Sequence, residues 1–293
     1  MLIATLIAAD QLQKGELSSA ADRLTDAGGK ISRISDIIDG KAADIFLEGE
    51  LATSRDVLSA ESAAIDFVVQ PSEHREKKLL ISDMDSTMIT VECIDELAGY
   101  AGIKDQIAEI TERAMLGELD FEEALRGRVA LLAGLDISAI DRCLAEKVEI
   151  MPGAETLVKT MAARGTKTIL VSGGFTRFAD PVARKIGFSV AEANILAEAD
   201  GILTGKLTGA IVDAQRKAEL LKQSAKSAGL SLDQCMAVGD GANDIPMIAL
   251  AGMGVAYRAK PKAAQAADAA IKHNDLRALL YIQGIGSQHW MND

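Results

Sequence analysis

Short apolar runs alternate with amphipathic stretches along almost the whole chain. Leu2–Ala8 predicts a strand, and the helical pattern over Leu17–Ala27 is closed by Gly28-Gly29. Ile31–Ile38 and Ala42–Leu47 predict two strands around Asp39-Gly40, a strong hairpin signal. Ser54–Ala64 predicts a helix, and Ile65–Val69 a fourth strand before Pro71. The order βαββαβ describes a small α+β unit over residues 1–72. The charged run Ser72-Glu73-His74-Arg75-Glu76-Lys77-Lys78 reads as a linker to a second unit, 73–293.

The second unit starts with the strand-like run Leu79-Leu80-Ile81. The period then changes: Leu97, Ile103, Ile107, Ile110, Leu116, Leu125, Val129 and Leu132 recur at helical spacing, which predicts an all-helical insertion over about 91–150. After Met151-Pro152-Gly153, strands and helices alternate. Strands are expected at Thr166–Val171, Cys235–Val238 and Gly254–Tyr257, and helices at Thr176–Ile186, Ala218–Ala228, Ile245–Ala251 and the Ala-rich Ala263–Ala270. Ile195–Ala199 and Ile202–Leu207 flank Asp200-Gly201 as a hairpin. Such alternation implies an α/β fold with a mainly parallel sheet and helices on both faces.

Composition narrows the function classes. Apolar residues make up 48% of the 293 positions but aromatics only 3%, so Ala, Leu, Ile and Val must build the core. A net charge of −12 disfavours a nucleic-acid partner, whose phosphates need clustered Lys and Arg. Cys93, Cys143 and Cys235 show neither pairing nor metal-ligand spacing, which suits a reducing cytoplasm. Met1–Ala9 lacks a positive flank and ends at Asp10, so a buried strand is expected there rather than a signal peptide. No run reaches the ~18 apolar residues of a membrane span. A soluble, cytoplasmic protein with no membrane partner is expected; the residues leave its oligomeric state open, a homodimer included.

Two acidic clusters carry the chemistry. Asp83-Met84-Asp85-Ser86-Thr87 follows the strand at 79–81, and Gly239-Asp240-Gly241-Ala242-Asn243-Asp244 follows Met236-Ala237-Val238. In an open α/β sheet the strand C-termini share one edge, where ligands bind. Asp83, Asp85, Asp240 and Asp244 gathered there would repel one another unless a cation joins them, and hard oxygen donors suggest Mg²⁺. Metal-assisted chemistry on an anion, foremost a phosphate, follows. Ser172-Gly173-Gly174 could cradle phosphate oxygens with a hydroxyl and bare amides. Lys217 could add a point charge, with Arg216 beside it as the competing candidate. Taken singly, each motif has a bland reading: Asp-x-Asp and Ser-Gly-Gly as turns, Lys217 as a solvated residue, Asn243-Asp244 as a helix cap.

Together and in this order they resemble the phosphatase form of the haloacid dehalogenase superfamily, over about residues 77–275. The finer pattern is similar to that of phosphoserine phosphatases: Asp-x-Asp-Ser-Thr, Glu92, Leu125-Arg126-Gly127-Arg128-Val129 and Val171-Ser172-Gly173-Gly174-Phe175. Met84 departs from the Phe common at that position. The resemblance implies a HAD-like Rossmannoid sheet with a helical cap, preceded by a ferredoxin-like unit similar to ACT-like regulatory domains. It implies Asp83 as nucleophile and Asp85 as general acid and base. Asp83, the backbone carbonyl of Asp85, and Asp240 would hold Mg²⁺. Ser172, Gly173 and Lys217 would bind phosphate, with Asn243 and Asp244 orienting Lys217, the phosphate or metal waters. Glu92 would take a substrate ammonium and Arg128 its carboxylate, with Met115 and Phe121 as an apolar wall. The implied reaction is hydrolysis of O-phospho-L-serine, the last step of serine synthesis. Alternatives are another small phosphometabolite, transfer to homoserine, or an amino-acid sensor built on residues 1–70.

Overall fold

The computed structural model describes residues 1–59, 64–115 and 118–291, without the side chains of Ser59, Ala114 and Met115. β1 (Leu2–Ala8), β2 (Lys30–Ile34), β3 (Ala42–Glu48) and β4 (Ile65–Pro71) form an antiparallel sheet in the order β2-β3-β1-β4. α1 (Lys14–Asp26) and α2 (Leu51–Ser59) cover one face, where Leu17, Leu24 and Leu58 share a core with Leu2, Leu6 and Ile45. The expected βαββαβ order is present. Asp39 and Gly40 make the β2–β3 turn with φ of 53° and 69°, the handedness that suits a twisted hairpin. β2 stops at Ile34, short of the expected Ile38, which keeps only an isolated bridge to Ala42. α2 starts at Leu51 rather than Ser54 because the Glu50 carboxylate accepts the N–H groups of Ala52 and Thr53. Residues 60–63, where that helix was expected to continue, and Leu116 of the expected insertion core lie outside the described residues.

The second sheet has seven strands. These are β5 (Leu79–Ser82), β6 (Lys167–Phe175), β7 (Val190–Ala199), β8 (Ile202–Thr208), β9 (Cys235–Gly239), β10 (Met253–Tyr257) and β11 (Ala269–Ile271). Their order is β11-β10-β9-β5-β6-β7-β8, parallel except for the β7–β8 hairpin. β5 is central and buried at every position, so its Leu-Leu-Ile-Ser reads without alternation. After β5 come α3 (Cys93–Ala101), α4 (Lys104–Met115), α5 (Phe121–Ala130) and α6 (Ser138–Lys147). α7 (Ala154–Ala163), α8 (Thr176–Ile186) and α12 (Ala278–Ile282) pack on one face of the sheet, α9 (Ala214–Ser227) and α10 (Ile245–Leu250) on the other. The Ala-rich tract departs from expectation. α11 (Pro261–Ala266) ends early and residues 269–271 become β11, because the open edge of β10 offers them a parallel ladder. Among the described residues no helix is long and apolar enough to cross a membrane.

The two sheets are bonded together through the C-terminal segment. Buried Asp66 on β4 accepts the backbone N–H groups of Lys272, His273 and Asn274 and the Asn274 carboxamide, at 2.9–3.3 Å. Arg75, within the charged run between the sheets, grips both oxygens of Asp44 at 2.7 and 2.8 Å and donates from Nε to the Ile282 carbonyl at 2.8 Å. That run is therefore an anchored segment rather than a solvated spacer. Asp66→Ala would strand several buried donors and is expected to cost about 3 kcal/mol of stability. The urea midpoint of the full chain measures it, and an unshifted midpoint would show that these bonds add no net stability.

Candidate active site

The sheet register brings the two acidic clusters together. Ser82 lies opposite Val238, and the next amide, Asp83 N–H, donates to the Val238 carbonyl at 2.9 Å. Asp83 therefore leaves β5 beside the loop that follows β9. α9 begins at Ala214, before the expected Ala218, because Asp213 caps it by accepting the Arg216 N–H at 2.7 Å. Lys217 thus sits in the first helical turn, 1% exposed, and its Nζ donates to Asp83 Oδ1 at 2.6 Å and Asp244 Oδ1 at 2.7 Å. Arg216 faces elsewhere and pairs with both oxygens of Glu192, which removes it as the competitor for this role. The remaining Asp244 oxygen accepts the N–H groups of Asp240 and Gly241 at 3.2 and 3.1 Å. A side chain at Gly239 would collide with the Asp244 carboxyl, so close approach explains that glycine. Thr87 donates to Asp240 at 3.3 Å, a contact the sequence did not single out.

Oxygens of Asp83, Asp240 and Asp244 lie within 4.8 Å of one another. Burial, reinforced by Asp244 and Asp85, pushes the Asp83 carboxyl well above the usual range, with Lys217 opposing. Burial and then Asp244 raise Asp240 to about 6. Burial alone would lower Lys217, but Asp83 and Asp244 overcome it and hold the ammonium charged. Three carboxyl groups crowd one ammonium in a buried space, so ionising all three together is disfavoured unless further positive charge joins them. An all-oxygen donor set of this kind fits a hard divalent cation.

Asp85 points to a neighbouring position. Its Oδ1 accepts the N–H of Cys93 at the start of α3, at 2.9 Å, and its Oδ2 accepts the Ser172 hydroxyl at 3.2 Å. Burial, and then Glu92, raise it to about 6. Ser86 takes a positive φ of 54° and donates to Glu92 at 2.7 Å, so the strained turn links the Asp cluster to the N-cap of α3. β6 does not end at Val171 as expected. Val171 faces Glu192 and Phe175 faces Asn194, so Ser172-Gly173-Gly174 forms a bulge that reaches Asp85. A Cβ on Gly174 would lie 2.8 Å from Asp85 Oδ2.

The helical insertion overhangs this edge. The Phe121 ring lies 3.2 Å from where a Gly173 Cβ would be, which places the start of α5 over the bulge. Arg128 on α5 is half-buried and donates to the Ala124 carbonyl; burial lowers its pKa, while Asp95 and then Glu92 oppose that. Asp95 escaped the sequence reading, although its place three residues after Glu92 on one helix was the available signal. Asn243 is half-buried and packs against Gly241, with no hydrogen bond from its side chain to Lys217 among those described. The Met115 side chain lies outside the described residues.

Residues 77–252 match the model of the haloacid dehalogenase-like hydrolases. The chain is 43% identical over 275 residues to a phosphoserine phosphatase of Streptomyces coelicolor, covering 92% of this chain and 67% of that one. It is 37% identical over 288 residues to the phosphoserine phosphatase of Saccharomyces cerevisiae, covering 94% of this chain and 93% of that one. The crystal structure of a HAD family hydrolase from Salmonella enterica serovar Typhi superposes with a TM-score of 0.82 at 27% identity, covering 96% of this chain and 98% of that one. Strand-end Asp clusters, a buried lysine between them and this extent of likeness agree: the chain belongs to the haloacid dehalogenase-like hydrolases, in their phosphoserine phosphatase family.

Proposed function

We propose that the protein hydrolyses O-phospho-L-serine to L-serine and phosphate through an aspartyl-phosphate on Asp83, with Mg²⁺ as cofactor. The observation that carries this reading is the buried Lys217 bridge between Asp83 and Asp244, with Asp240 beside it and Asp85 turned toward Ser172. Lys217 occupies one oxygen of Asp83, which leaves the other to attack phosphorus. The phosphorus–oxygen bond to serine breaks as the bond to Asp83 forms, and Asp85 gives its proton to the departing serine oxygen. Asp85, now ionised, takes a proton from water, whose oxygen attacks the aspartyl-phosphate. Phosphate leaves with Asp83 restored and Asp85 reprotonated. A group held at about 6 can both give and accept a proton near neutrality. Mg²⁺, held by Asp83, Asp240 and the Asp85 carbonyl, would offset the repulsion between a carboxylate nucleophile and a phosphate dianion.

The phosphate would rest on Ser172, Gly173 and Lys217, with Asp244 fixing Lys217. The four-helix insertion would act as a cap, with Phe121 as a wall over the bulge and Glu92 and Arg128 reading the ammonium and carboxylate of serine. Residues 1–72 would form an ACT-like unit and 73–293 the phosphatase unit. Three buried, unpaired cysteines are in keeping with a reducing compartment.

Phosphate release from O-phospho-L-serine and a panel of phosphometabolites, with Mg²⁺ or excess chelator, tests the reading. Fast release confined to phosphoserine and abolished by chelator is expected; release from another panel member alone would refute the cap assignment. Asp83→Asn should lower kcat by at least about 10³-fold with an unchanged circular dichroism spectrum. A variant that keeps most of its activity rules out the aspartyl-phosphate. Arg128→Ala should cut kcat/KM for phosphoserine about 10²-fold, and far less for an aryl phosphate, since only the former has a carboxylate to lose. Equal losses on both substrates would exclude carboxylate recognition by Arg128.

A further inference from the structure

Asn194 lies on β7, opposite Phe175 at the end of the β6 bulge, and is 1% exposed. Both ends of its carboxamide are used. Oδ1 accepts the Val212 N–H at 2.8 Å, and Nδ2 donates to the Gly173 carbonyl at 2.9 Å. Val212 immediately precedes Asp213, the cap of the helix that carries Lys217. The carboxamide therefore spans from the bulge to the start of that helix.

The peptide it holds is the hinge of the bulge. In a trans peptide the Gly173 carbonyl and the Gly174 N–H point in opposite directions. Drawing the carbonyl toward Asn194 turns the Gly174 N–H the other way, where it donates to Ser172 Oγ at 2.8 Å. With one lone pair so engaged, the Ser172 hydroxyl directs its proton to Asp85 Oδ2 at 3.2 Å. Glycine on both sides of this peptide leaves its plane without steric preference, so a side chain from outside must fix it. Among the described residues, Asn194 is the side chain that bonds the Gly173 carbonyl.

We propose that Asn194 is a positioning residue for phosphate binding: it sets the plane of the Gly173–Gly174 peptide and locks the Ser172 bulge to the helix bearing Lys217. The two halves of the anion site, the Ser172 bulge on β6 and the ammonium on α9, are then held in fixed relation before any ligand arrives. This deepens the phosphatase reading and rests on it in taking the bulge as the phosphate site.

Asn194→Asp is the informative change. It is isosteric and keeps the acceptor for Val212, but it sets a carboxylate oxygen against the Gly173 carbonyl. In the full chain with Mg²⁺, calorimetric binding of inorganic phosphate should weaken about tenfold or more, and kcat/KM for an aryl phosphate should fall at least as much. A structural role alone would shift the melting temperature and leave phosphate affinity within about twofold, which would overturn the proposal. In a Ser172→Ala background the same change should cost less than about threefold, because its effect passes through Ser172. An undiminished loss there would equally overturn it. Should Asn194→Asp not fold, Asn194→Ser, smaller and uncharged, is read against the same two outcomes. A wild-type chain that binds phosphate and cleaves the aryl ester but ignores phosphoserine would refute the substrate and leave this test intact.

Discussion

One buried ammonium organises this molecule. Lys217 is withdrawn from water between Asp83 and Asp244, and taking such ions out of water costs several kcal/mol each before their attraction returns any of it. A fold selected for stability alone has little reason to bury three charges where Leu or Met would pack. The surrounding construction serves that contact. β5 is central, so Asp83 emerges between β6 and β9; Asp213 starts α9 early enough for Lys217 to reach the sheet edge; and the bare Gly239 lets the Asp244 carboxyl close in. With Asp240 beside the triad, three carboxyl groups share a single ammonium, and burial pushes Asp83 and Asp240 toward their protonated forms. Such a cluster of oxygen donors fits a hard divalent cation.

Legibility followed the physics of each signal. The Asp clusters were readable because each follows a run of buried apolar residues, and a strand end is where such a polar pair has to surface. α8 matched its expected bounds, Thr176–Ile186, because Gly187 stops it with a φ of 101° that few other residues adopt. α1 and α9 began earlier than their apolar periodicity suggested. Their first turns are held by polar caps, Gln13 with Glu16 and Asp213 with Arg216, and those turns contribute few apolar residues. The first half of β7 went unseen because Val190 and Glu192 are at least partly exposed, while the strand depends on its ladder with β6. Asn194 carried no signal, since a lone Asn within a strand pattern says nothing of which backbone groups lie across the sheet.

The bulge in β6 shows the same limit from the other side. Ser172-Gly173-Gly174 reads in sequence as a strand end, and in structure it is an interruption within a strand that resumes pairing at Phe175. Three residues of β6 span the distance that one residue of β7 covers, and the surplus projects toward Asp85. Sequence could place a phosphate-sized turn there. It could not show that the turn is tied down at both ends, which separates a loop that must be ordered by its ligand from one already shaped for it.

The N-terminal sheet bears on the site through the edge it covers. β11 is the outermost strand on the β10 side of the large sheet, and such an edge exposes unpaired backbone groups. Asp66 takes up the N–H groups of residues 272–274 just beyond β11, and Arg55 on α2 pairs with Asp268 just before it, at 2.8 Å. β11 is paired to β10, which ends at Tyr257, and three residues further on Lys260 donates its N–H to the carbonyl of Asp240 at 3.0 Å. An element that appears remote in the chain thus holds the outer rail of the strands whose loops seat Asp240. A short path of backbone bonds runs from the N-terminal sheet through β11 and β10 to Asp240, beside the separate contacts that Gln70 and Arg75 make with the Ile282 carbonyl.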